Sequence, residues 1–203
     1  MDEIWKLGAY KTAELIKSRK ISVTEAVSSS IERIKSKNPK INAVVDDLSA
    51  EALEEAEQLD KSSKNGELKG PLHGVPITIK ENIDQQGYST PNGLVALKDL
   101  IAPGNAPVVD NLKDAGAIII GRTNTPEFSM RGTTDNVLHG RTFNPWNDWA
   151  SPGGSSGGAS AAVMSGMGAL AHGNDIAGSL RIPSTATGAT TVKPGLGRVP
   201  AYN

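Results

Sequence analysis

Glycine is spread very unevenly along this chain, and that unevenness constrains the fold more than any other feature. Residues 1–65 contain one glycine, Gly8, whereas residues 151–203 contain eleven of the 22. Glycine inside a helix or strand costs roughly 0.5–1 kcal/mol relative to alanine. The last quarter of the chain therefore calls for close backbone approach or unusual dihedral angles. A flexible linker is the competing reading, but Met164, Met167, Leu170, Ile176, Leu180, Ile182 and Val192 recur through the same stretch, and a linker carries no such apolar series. Only 8 of the 203 residues are aromatic, so the core has to come from Ala, Val, Ile and Leu.

The 21 basic and 22 acidic residues nearly cancel, which argues against a domain that binds a polyanion through bulk charge; direct nucleic-acid contact is not expected. The absence of Cys removes disulfides, thiolate metal sites and a thiol nucleophile. His73, His139 and His172 lie at no spacing that marks a metal site, so neither metal nor cofactor is expected. The opening MDEIWKLGAY has no basic region followed by an apolar run, and nothing approaches the ~18 apolar residues of a membrane helix. A soluble cytoplasmic protein without membrane contact is the expectation.

Residues 3–18 carry Ile4, Leu7, Leu15 and Ile16 in a rough stripe that predicts a helix, with Asp2 as its N-cap. Ser22-Val-Thr-Glu25 reads as a capping box opening a second helix through Val23, Ala26, Val27, Ile31 and Ile34, ending near Lys37 ahead of Pro39. Ile41–Val45 reads as a strand, and residues 48–60 as a third amphipathic helix with an acidic outer face. Val75–Lys80 reads as a buried strand, 81–104 as turns, and Pro107–Ala115 as a helix closed by Gly116. The continuous apolar run 117–121 predicts a central strand covered on both faces. Residues 131–152 show no periodicity; Ala159–Ser165 predicts a helix and Gly168–His172 a short strand. This alternation predicts a layered α/β fold. A helical region, 1–65, is expected to pack on the sheet of a core, 66–203, rather than stand apart.

Three features carry chemistry. Lys80 ends the apolar stretch PLHGVPITIK; either it is desolvated, which lowers its pKa and makes it a base, or it reaches solvent along its stem. Pro152-Gly-Gly-Ser-Ser-Gly-Gly158 precedes a small-residue helix and can aim N–H groups and hydroxyls into one cavity. It lacks the GxxxxGK[ST] spacing of a phosphate-cradling loop, and no GxGxxG occurs. In Gly173-Asn-Asp-Ile-Ala-Gly-Ser-Leu-Arg-Ile-Pro183, Ser179 follows small residues and can act as a nucleophile whose own N–H helps hold an oxyanion. It is not the GxSxG elbow of α/β-hydrolases, and nothing marks a Ser-His-Asp triad.

GVPITIKENID, the RTNTPEF run, PGGSSGGASAA and GNDIAGSLRIPS…VKPGLGRVP together resemble the amidase signature family of serine hydrolases. Lys80 precedes Ser155 by 75 residues and Ser155 precedes Ser179 by 24, and the blocks fall in the family's order over nearly the whole chain. The resemblance implies a central mixed β-sheet covered by helices on both faces, of which only the N-terminal half is present. It implies a triad with Ser179 as nucleophile, Ser155 as bridging serine and Lys80 as base, and a cis peptide bond between Gly154 and Ser155. The N–H groups of Ile176, Ala177, Gly178 and Ser179 would hold the oxyanion, Ser156 would help position Lys80, and Asp175 and Arg181 would hold the loop.

Ala177-Gly178 stands where the family has two glycines, so a methyl group enters the oxyanion region; GSLR stands for GSIR, and Thr191 and Gly195 also depart from the pattern. Family members are generally more than twice this length, so a C-terminal half or a partner chain completing the fold is an expected partner. The implied activity is hydrolysis of small amides, aryl amides or carbamates. The alternatives are the glutaminase subunit of a tRNA-dependent amidotransferase and a non-catalytic fragment that requires its missing half.

Overall fold

A computed structural model describes residues 3–200; the Asp2 cap therefore lies outside the described residues. The predicted first helix divides in two. A 3-10 turn at Ile4–Lys6 is followed, after Gly8 in extended conformation, by α1 at Ala9–Lys17. Helix α2, Val23–Ile41, opens on the predicted capping box: the Glu25 N–H donates to Ser22 Oγ at 3.0 Å, and the Ser22 N–H donates to the Glu25 carboxylate at 2.7 Å. Asp60 adds a second anion at the same end, accepting from the Val23 and Thr24 N–H groups.

This helix does not stop at Lys37. It runs through Pro39 to Ile41 and ends at Asn42 in the left-handed conformation. Asn38 explains the extension: its Oδ1 accepts the N–H groups of Ala43 and Val44, and its Nδ2 donates to the Val44 carbonyl. The following strand β1 is thereby moved to Val44–Asp47, and Ile41 becomes a buried residue of the last helical turn. Helix α3, Ser49–Lys64, is longer than predicted.

Strand β2 (Pro76–Lys80), helix α4 (Pro107–Asp114, with proline at its first position), strand β3 (Ile118–Thr123), helix α5 (Gly157–Met164) and strand β4 (Leu170–Ala171) fall within a few residues of expectation. The sheet order is β1-β3-β2-β4; β1 runs antiparallel to β3, while β2 is parallel to both β3 and β4. The sheet is thus mixed, as the resemblance implies. Side chains alternate across it. Ile118 and Ile120 join a core with α1, α2, α3 and α5, whereas Ala117 and Ile119 join Ile77, Ile79 and Val109 beneath α4. Each fully buried Val or Ile stabilises by about 1.5–3 kcal/mol. Helix α6, Arg181–Thr187, was not predicted.

Candidate active site

Alternation along β2 places the site. Ile77 and Ile79 face α4, so Lys80 faces the opposite side, where the loop before α5 lies. Lys80 is fully buried. Its Nζ lies within hydrogen-bond distance of Ser155 Oγ at 2.7 Å, Ser156 Oγ at 3.1 Å and Asn174 Oδ1 at 2.8 Å. Burial pushes the Lys80 ammonium down to about 7, against the opposing pull of Glu81 and Asp175. Of the two readings left open by the residues, the lysine is desolvated and does not reach solvent.

The Gly154–Ser155 peptide bond is cis. The turn is held from outside by Thr134, whose Oγ1 donates to the Gly153 carbonyl and accepts the Gly157 N–H, both at 3.0 Å.

The Ser179 loop lies against this turn. The Ser156 N–H donates to the Ser179 carbonyl at 3.1 Å, and Ser156 Oγ donates to the Asn174 carbonyl at 3.2 Å. Gly173 permits that approach, since a Cβ there would sit 2.8 Å from Ser156 Oγ and 2.7 Å from Leu180 Cδ2. Ser179 is half-buried, and its hydroxyl makes no hydrogen bond among the described residues.

Asp175 organises the loop. Its carboxylate accepts the N–H groups of Gly178 (2.8 Å), Leu180 (3.1 Å) and Arg181 (3.2 Å) and pairs with the Arg181 guanidinium. The Arg181 hydrogen bond, with those N–H groups, holds Asp175 far below the usual carboxylate range.

The Gly178 N–H is engaged by Asp175, so of the four groups assigned to an oxyanion only those of Ile176, Ala177 and Ser179 lack an internal acceptor among the described residues. The Ala177 methyl needs no special backbone, because Ala177 is not among the residues at positive φ; the left-handed position falls on Gly178, at φ 124°.

Sequence reasoning missed three neighbours of Lys80. Asn174 stands inside the quoted GNDIAGS block, but its contact with Lys80 crosses 94 positions. Glu81 is fully buried; its carboxylate accepts the Gly93 N–H at 3.0 Å and meets His139 Nε2 at 2.8 Å. Burial pushes the His172 imidazole down to about 4, with nearby Lys80 adding to the effect, and its Nδ1 is buried without a partner among the described residues. His73 is structural: Nδ1 accepts the Lys69 N–H, which leaves Nε2 to donate to Ser63. No group of three or more His, Asp or Glu among the described residues could hold a metal ion. No described helix is long and apolar enough to cross a membrane.

Residues 25–203 match the Amidase family. The chain is similar to an indoleacetamide hydrolase of Bradyrhizobium diazoefficiens, at 57% identity over 201 residues, 98% of this chain and 38% of that protein. It is similar to a glutamyl-tRNA(Gln) amidotransferase subunit of Lachnoclostridium phytofermentans, at 43% identity over 98% of this chain and 41% of that protein. It superimposes on the crystal structure of a bacterial aryl acylamidase of the amidase signature enzymes with a TM-score of 0.86, at 38% identity over 90% of this chain and 38% of that one. The chain spans about two fifths of the length of these relatives.

Proposed function

This chain belongs to the amidase family, and from that premise we propose that it carries the catalytic centre of a serine-dependent amide hydrolase. The observation that carries the proposal is the fully buried Lys80 amine set 2.7 Å from the Ser155 hydroxyl, with the Ser179 backbone hydrogen-bonded one residue further on. A lysine pushed down to about 7 is substantially neutral in neutral solution and can accept a proton.

In the proposed reaction Lys80 takes the Ser155 proton as Ser155 takes that of Ser179. The Ser179 oxygen forms a bond to the amide carbonyl carbon. The free N–H groups of Ile176, Ala177 and Ser179 hold the resulting oxyanion; removing one such donor costs about 100-fold or more in rate. The proton returns through Ser155 to the amine, the C–N bond breaks, and water releases the acyl group from Ser179. The absent Ser179 to Ser155 hydrogen bond is compatible with this, since such contacts commonly tighten only around substrate.

Primary arylacetamides and anilides are the proposed substrates, by similarity to the indoleacetamide hydrolase and the aryl acylamidase. The helical region 1–65 and the core 66–203 act as parts of one domain in this reading. A C-terminal polypeptide or partner chain completes the substrate pocket. Support comes from the exposure of Ile176 in the Ser179 loop (99%) and of Trp149 (94%), and from relatives more than twice as long.

The test is hydrolysis of an anilide and an arylacetamide by the 203-residue chain, alone and with a polypeptide covering the remainder of a relative. Turnover abolished by Ser179→Ala, with an unchanged circular dichroism spectrum, is expected. Full activity in Ser179→Ala refutes the assignment. Turnover only with the added polypeptide identifies this chain as a part that requires its complement. The similarity to an amidotransferase component favours a second reading, a glutaminase, for which ammonia release from glutamine and co-purification of a partner chain are the discriminating observations.

A further inference from the structure

Proton counting around Lys80 leads beyond the triad. A neutral lysine amine has two N–H donors and one lone pair, so of its three neighbours two must accept and one must donate. Asn174 presents a carbonyl oxygen, Oδ1, which only accepts. Its amide cannot flip without loss, because Nδ2 donates to Asn82 Oδ1 at 3.2 Å. The orientation of Asn82 is fixed in turn. Its Nδ2 donates to Ser129 Oγ at 3.0 Å, and the Ser129 hydroxyl donates to Asn92 Oδ1 at 2.9 Å. Ser156 is also confined to accepting, because its own proton is given to the Asn174 backbone carbonyl. The remaining neighbour, Ser155, is the nearest at 2.7 Å, and its hydroxyl proton is given to no other acceptor among the described residues.

We propose that Asn174 is a positioning residue: by accepting one Lys80 N–H through its side chain, and committing Ser156 to accept the other through its backbone carbonyl, it aims the Lys80 lone pair at Ser155. Asn174 thereby makes the direction of proton transfer a property of the loop that also carries Ser179. The inference rests on the amide-hydrolase reading for its kinetic consequence, but not for the geometry. The charged and titratable groups facing Lys80 are Glu81, the residue just past β2, Asp175 in the Ser179 loop and His172 just past β4. None of them contacts Nζ directly, so Asn174 is the side chain whose exchange changes the acceptor at constant surroundings.

The experiment compares Asn174→Ala and Asn174→Asp with the parent chain. It reads the Lys80 titration by NMR of carbon-13-labelled lysine and, where turnover is present, the pH profile of kcat/KM. Asn174→Ala removes an acceptor that also favours the ammonium. The Lys80 midpoint is expected to fall, and the high-pH plateau of kcat/KM to drop by about 10- to 100-fold, less than the roughly 100- to 10,000-fold that a positioned proton acceptor contributes in full, because Lys80 itself remains, with KM little changed. Asn174→Asp keeps an acceptor-only oxygen and adds a charge. It is expected to move the midpoint and the acid limb up by about 1–3 pH units while retaining most of the plateau.

A merely architectural role would lower stability in both variants without moving the midpoints in opposite directions. A parental plateau in Asn174→Ala, or midpoints that stay fixed or shift the same way, overturns the proposal. If the parent chain hydrolyses no amide with or without its complement, the hydrolase reading fails on its own, and the NMR midpoints decide the role of Asn174.

Discussion

Replacing Lys80 with methionine tests the physical premise of the site without reference to any substrate. An unfolded lysine titrates near 10.5, and the buried Lys80 is pushed down to about 7. Between those values the unfolded chain binds a proton that the folded chain does not, so stability rises with pH. Each pH step within that window contributes about 1.4 kcal/mol, so between pH 7 and 9 the parent chain should gain up to about 3 kcal/mol from this residue. Below pH 7 both states are protonated and the burial penalty is at its full value; above 10.5 it vanishes. Lys80→Met has nothing to titrate and keeps a side chain of similar length in the cavity. Urea unfolding at half-unit pH intervals should show the parent minus Lys80→Met difference rising steeply from pH 7 to 9. The difference cancels the other titrating groups that both chains share. Parallel stability curves would mean that Lys80 folds with an ordinary pKa, and both the desolvation argument and the proton-acceptor role would fall with it.

Two further substitutions probe the supporting structure. Ser22→Ala removes the acceptor of the Glu25 N–H and should cost about 1 kcal/mol in urea unfolding, whereas Ser22→Gly should cost only a few tenths, because glycine is itself an acceptable cap. Asp175→Ala leaves three N–H groups of the Ser179 loop without their acceptor; it should lower stability by about 2–4 kcal/mol, read by thermal unfolding, and reduce turnover at least about 10-fold, read by amide hydrolysis.

What could be read in the sequence divides by the range of the interaction. The Ser22 and Glu25 capping box, the proline opening α4 and the apolar β3 were legible because each is decided by residues within a turn or a strand of one another. Where a distant partner decides, local rules failed. Helix α2 outlasted its proline because Asn38 turns back to hold the Ala43 and Val44 N–H groups. Helix α6 has no cap of its own at Leu180; Asp175 stands in for one from five positions upstream, a spacing that no cap rule describes. The same Asp175 takes the Gly178 N–H, which a reading of Gly178 as an anion donor could not foresee.

The site follows the same rule. The motif blocks marked Lys80, Ser155 and Ser179, because each interrupts its surroundings with a residue type that the local structure does not need. Asn174 was passed over because, read along the chain, an Asn before Asp175 is an ordinary turn residue. Its meaning arises only when the end of β2 is brought under the loop, and one side chain then serves as hydrogen-bond acceptor to a lysine 94 positions away. The glycine excess at the end of the chain is the trace of that meeting. Gly173 has no side chain because Ser156 occupies the space where one would go, so the sequence recorded that a close approach takes place while leaving its partner unnamed.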